Sequence, residues 1–315
     1  MQNCRFINNT AKLYGIVYWL GVKGTLSDCT FTSNYAQRGS GVYWLGANGI
    51  VTDSTFIGNT VTMYAAGVWW DGINGTLYGC SFINNTSKDR EGCGVYWHAN
   101  SGQIMACNFT NNKGAYCGGG VYLNGNFICV NDCIFTGNTA NHYGGGLAGG
   151  SKSIIITNCI FNSNRASNYG GGIGWEYAHD SSIIGCIFNG NYAITGGGIC
   201  VSNKNVTIRS CTFKDNYETP YTYWKSDIVW YKGSSEGSMI NCTFNNNNKD
   251  NLVKIYNGNL MVDGGTGIVR ISKVYSNEGN ITLSGISIVV LNNETYYYPP
   301  NSNINFIYSL DNHKT

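Results

Sequence analysis

A short signature, C-x-F-x-x-N, returns along this chain at a nearly constant interval, and that interval limits what the chain can become. Its phenylalanines are Phe6, Phe31, Phe56, Phe82, Phe109, Phe135, Phe161, Phe188, Phe213 and Phe244, at spacings of 25, 25, 26, 27, 26, 26, 27, 25 and 31 residues. Self-similarity at such a period marks a solenoid, in which each turn buries its apolar face only against its neighbours. Stability then depends on stacking, and length sets no ceiling on the fold.

Aligning the copies gives columns, and a column that is apolar in every copy faces the core. Three residues before the cysteine position stand Leu26, Val51, Leu77, Ile104, Val130, Ile156, Ile183 and Ile208; the cysteine and the phenylalanine follow and share one strand face. The step of three from aliphatic residue to cysteine breaks the period of two, so a corner lies between them, at pairs such as Ser27-Asp28 and Thr157-Asn158. A second corner is expected at the asparagine that closes F-x-x-N, because asparagine tolerates the left-handed conformation. A third strand follows the glycines, as in Gly41-Val-Tyr-Trp44 and Gly94-Val-Tyr-Trp97. Its first column is always Val, Leu or Ile and points inward, so the next column points out. Three short strands per turn predict an all-β, right-handed parallel β-helix of about ten coils.

The β-helix is expected over residues 1–275. The stretch from Tyr217 to Lys232 reads as a longer loop, and residues 276–315 as a hairpin-like β segment, a cap or the start of a truncated β module. Met1 already occupies a repeat position, which predicts a fragment whose earlier coils are missing. Only 11% of residues are charged and the net charge is +2, which provides no electrostatic footprint for nucleic acid. No apolar run is long enough to span a bilayer, so membrane insertion within this chain is not expected.

The paired signals, as in Cys80-Ser-Phe-Ile-Asn-Asn-Thr86 and Tyr143-Gly-Gly-Gly-Leu147, resemble the repeats of chlamydial polymorphic outer-membrane proteins. They are more similar still to the coils of adhesin-like β-helix proteins of methanogenic archaea. The resemblance covers about residues 1–260. It implies a passenger displayed at the cell surface or secreted, whose partner is a glycan or a cell-surface protein.

Nine of the 13 cysteines fall in one inward column, interrupted by Ser54. Neighbours about 4.8 Å apart lie slightly beyond disulfide geometry, so the ladder is expected to consist of free thiols packed as small apolar side chains. Cys93, Cys117, Cys129 and Cys200 stand off the column with no C-x-x-C pair. No metal and no cofactor are expected. The outward column Tyr18, Tyr43, Trp69, Tyr96 and Tyr122 predicts a flat strip of stacked rings suited to sugars or an apolar partner, against the simpler alternative of rings that only stiffen the sheet. The rival function on this fold is a polysaccharide lyase or hydrolase. Its candidates are Asp71 and His98, stacked neighbours in the column after the third strand, where a solvated corner with an incidental ion pair is the simpler account. Asp28 and Asp53 are expected to be turn residues. The sequence therefore favours a non-enzymatic adhesin or structural stalk, with a carbohydrate-active enzyme as the alternative.

Overall fold

A computed structural model describes residues 1–202, 204–218, 226–230, 235–245, 253–255, 258–266, 269–273, 278–284, 288–291, 294–297 and 303–309. The chain winds into a parallel β-helix, with no helix among the described residues. From Thr25 to Trp230 each coil carries four strands rather than the expected three. In one coil they are Ile50–Thr52, Thr55–Ile57, Thr60–Tyr64 and Val68–Trp70. The additional strand follows the closing asparagine. It is short, and its inward residue is small, as in Ala140 and Ala166, so it leaves little apolar signal in the sequence. The first two strands of each coil join a 21-stranded sheet, the short ones an 8-stranded sheet and the aromatic ones a 13-stranded sheet.

Register holds from coil to coil. Val42, Val68, Val95 and Val121 pair in succession and are fully buried, as the columns predict. The phenylalanines form an unbroken stack, with centroids 4.7 Å apart at Phe6–Phe31 and 5.2 Å at Phe213–Phe244. Period two also turns the third residue of each aromatic strand inward, which makes Trp44, Trp70 and Trp97 the largest buried side chains of the rod. A glycine precedes Val42, Val68, Val95 and Val121 because the next phenylalanine crowds its side-chain space: a Cβ on Gly41 would lie 2.7 Å from the Phe56 ring.

The first corner falls where expected, with Asp28 at φ 54° and Asp53 at φ 48°, confirming both as turn residues. The second is shifted by one position. The left-handed residue is the one before the asparagine: Ser33, Gly58, Asn84, Asn111 and Gly137. The asparagine itself turns inward and is buried in a ladder of amides. In the cysteine column each thiol donates to the carbonyl two residues earlier, as Cys107 Sγ does to Met105 at 3.2 Å. Backbone N–H groups point at the next sulfur, Cys133 N to Cys159 Sγ at 3.4 Å. Ser54 reproduces both bonds with its hydroxyl, at 2.8 Å to Thr52 O and 3.0 Å from Cys29 N, so the interruption leaves the pattern intact. All 13 cysteines are free.

The loop expected between Tyr217 and Lys232 lies largely outside the described residues, but Ile228 resumes the register opposite Ile199. Parallel stacking continues across residue 275, with Val262 paired to Leu283 and Val269 to Val289. The last strands reverse: Glu294–Tyr297 pairs antiparallel with Ile288–Leu291, and Asn303–Ser309 with Glu278–Ser284.

Candidate functional site

Tyr18, Tyr43, Trp69, Tyr96 and Tyr122 leave the main core on the outer side of the aromatic strands and stack ring on ring. Successive centroids are 5.5, 5.3, 4.5 and 5.3 Å apart. They do not form the open strip the alternation suggested. Tyr43, Trp69 and Tyr96 are only 7%, 8% and 8% exposed, whereas Tyr18 at the end is 47% exposed. The cause is cover from the corner before each aromatic strand. Tyr14 meets Tyr43 edge-on at 4.8 Å, and Tyr64 wedges against Trp69 and Tyr96 at 5.3 and 5.2 Å. The Arg38 guanidinium lies 5.8 Å from the Trp69 ring. With Ala65 and Leu45 these rings make a second, smaller core. Burial first, and the Asp71 charge second, push the Tyr43 phenol up to about 12.

Asp71 and His98 meet as the columns predicted, with His98 Nδ1 2.5 Å from Asp71 Oδ1. Both stand on the outer face, the His98 side chain half exposed, and the imidazole lies 6.2 Å from the Trp69 and Tyr96 rings. A carboxylate that orients an imidazole is one component of a general base.

A hollow opens further along the same face, where the ring column ends. After Tyr122 the column continues as Ala148, Gly174 and Cys200. Losing three rings in a row leaves a groove of about 140 Å³. Ala148, Gly149, Gly150 and Gly174 line it with nearly bare backbone, and Tyr116, Tyr122, Tyr143, Tyr177, Cys117, Glu91 and Glu176 complete the lining. No ring can be restored at Gly174, whose Cβ would fall 2.5 Å from the Gly144 nitrogen. The Tyr177 side chain closes over Gly150, within 3.4 Å of where a Cβ would stand.

The electrostatics of this groove are negative. The Glu176 carboxylate bears on the phenols of both Tyr143 and Tyr177. Burial raises the Tyr143 phenol, with the Glu176 charge adding to it, while for exposed Tyr177 the Glu176 charge is the main cause. Burial pushes the Cys117 thiol up to about 12, and both Glu91 and Glu176 add to that shift. The same two carboxylates bear on Tyr116 and Tyr122, so they act on one space although they stand three coils apart. His142 stacks behind Tyr116 at 4.8 Å, and burial lowers its pKa against the pull of Glu176.

Of the residues singled out from the sequence, the structure brings together Asp71 with His98 and the five rings with each other. Only Tyr122 among them reaches the groove. Glu91 and Glu176 occupy different columns, one before and one after the aromatic strand, and no spacing rule links them. The sequence signal for their meeting place was the change from rings to Ala148 and Gly174 in the outward column.

Among the described residues no group of three or more His, Cys, Asp or Glu side chains converges as a metal site, and no helix is long and apolar enough to cross a membrane. A family model described as a right handed beta helix region matches residues 1–161 and 93–294. No curated protein matches the chain.

Proposed function

The chain belongs to the right-handed β-helix family, and on that premise we propose that it is an adhesin-like rod, displayed on a cell surface or secreted, that holds a glycan on its aromatic face. The observation that supports this reading is the tyrosine-walled groove at the end of the stacked rings. Sugar rings present flat C–H faces that pack on aromatics, and hydroxyls that bond to carboxylates and exposed backbone. Here phenols, carboxylates and glycine backbone surround one hollow. The ridge from Tyr18 to Tyr96 serves a different purpose. Its buried rings stiffen the sheet that carries the groove.

A second reading, hydrolysis or elimination of a polysaccharide, is favoured by the two carboxylates that share the groove, because glycoside cleavage employs such a pair. Binding is preferred because the Glu176 carboxylate already bears on the two phenols of Tyr143 and Tyr177, both of which it raises. A general acid or base must instead turn toward the reacting bond. The test is a glycan array run beside a polysaccharide depolymerisation assay. Binding that weakens in the Tyr116→Ala, Tyr177→Ala double variant, with no turnover, is the expected result. These two rings are 45% and 59% exposed, so removing them leaves the core intact. Turnover that disappears in Glu176→Gln would replace the adhesin reading with the enzymatic one.

A further inference from the structure

The groove has acidic and aromatic walls: Glu91 and Glu176 line it, and among the described residues neither lysine nor arginine does. The faces of tyrosine rings carry the negative part of the ring quadrupole and attract an organic cation. Their hydroxyls stay protonated well into alkaline solution, because burial or the neighbouring Glu176 charge raises them. At about 140 Å³ the hollow is smaller than the roughly 300–1,000 Å³ that holds a drug-sized ligand, so it admits one ring or head group of something longer. One side is open and the lining residues come from successive coils, which suits a polymer.

From this combination we infer that the groove selects a sugar residue carrying a protonated amino group, the unacetylated 2-amino-2-deoxyhexose of a polysaccharide. The inference rests on the glycan-binding reading above and narrows it. The ammonium group pairs with Glu176, where a charge-assisted hydrogen bond to a carboxylate is roughly twice as strong as a neutral one, and Glu91 adds a second negative charge to the same space. The ring face lies on a tyrosine. N-acetylation removes the charge and adds bulk. A uronate in the same place brings a third carboxylate to two already present, so acidic polysaccharides are excluded from this groove.

Calorimetric titration of the protein near pH 6 with four probes tests the inference: β-1,4-linked glucosamine tetramer, its fully N-acetylated counterpart, a galacturonate tetramer, and choline. The glucosamine tetramer is expected to bind at least about 10-fold more tightly than the N-acetylated one, with no uptake of the uronate. Glu176→Gln should bring the two hexosamine tetramers within about 2-fold of each other. Glu91→Gln, on another coil, repeats the test should the first variant melt early. N-acetylated or uronate tetramer binding as tightly as the glucosamine tetramer overturns the inference and leaves glycan binding standing. Choline binding as tightly as the glucosamine tetramer also overturns it, in favour of a simple ammonium head group. Absence of binding to every glycan here and on the array removes the glycan reading itself.

Discussion

The Asn138 side chain donates from Nδ2 to Oδ1 of Asn164 at 3.0 Å, and that same oxygen accepts the backbone N–H of Asn138, also at 3.0 Å. Asn138 Nδ2 also reaches back to the Phe109 carbonyl at 2.8 Å. Each amide thus ties its own coil to the coils before and after it. The row runs from Asn9 to Asn216, where the Asp227 carboxylate takes the last donor at 2.8 Å. A bend has no ladder of its own to pair its backbone, and a buried unpaired group is unfavourable. The amides perform that pairing at every coil.

Asn138→Ala should therefore destabilise the rod by about 1–3 kcal/mol, because it leaves the buried Asn112 N–H without its acceptor and removes one of the donors to the Phe109 carbonyl. Urea unfolding followed by circular dichroism measures this. A loss below about 1 kcal/mol would show that water replaces the amide.

The thiols give a second expectation. Eleven of the 13 are buried, and only Cys4 and Cys129 are partly open. In the folded protein a thiol reagent should modify two groups or fewer quickly. After air exposure of the folded protein and then denaturation, it should find most of the 13. Recovery of three or fewer would mean that the ladder had become cross-linked.

Alkali should weaken the fold through the same burial. Cys93 is fully buried and is pushed up to about 12 from its ordinary value of 9.0, and Cys117 also to about 12. The folded form holds these protons more tightly than the unfolded chain. Their stabilisation is complete below pH 9 and declines as pH rises from 9 toward 12. Each such thiol contributes a slope of about 1.4 kcal/mol per pH unit. The urea midpoint should fall between pH 8 and pH 10.5, and less steeply in Cys93→Ala. An unchanged midpoint would sink this account.

Columns of one residue type were legible because each copy repeats the same burial, which is why Phe82, Val95 and the thiols stand where the spacing placed them. The second corner was misplaced because both residues of pairs such as Asn84-Asn85 can take a left-handed bend, and only packing decides which one turns inward. The exposure of the ring column failed for a related reason. Alternation shows that Trp69 leaves the main core, but Tyr64 and Arg38 come from another strand and a different part of the coil, and no local pattern reports that they cover it. The groove was less legible still, since it is defined by absent side chains at Ala148 and Gly174 and by carboxylates from separate coils.

The last prediction separates the ridge, the ion pair and the groove, which share one face of the rod. Trp69 is buried against Tyr43, Tyr64 and Tyr96, so Trp69→Ala should lower stability by about 3–5 kcal/mol, as for a core aromatic. Any loss of glycan binding in that variant should follow unfolding. Asp71 and His98 form a partly exposed pair, the two side chains 21% and 52% open, and do not line the groove. Such pairs contribute about 0–1 kcal/mol, so Asp71→Asn should leave both the melting temperature and glycan affinity nearly unchanged. A catalytic role predicts the opposite, since losing a positioned acid or base lowers a rate by about 100-fold or more. Measuring melting, binding and polysaccharide turnover on both variants separates the cases: turnover present in the parent and lost in Asp71→Asn would place chemistry at the His98 pair and overturn the non-enzymatic reading.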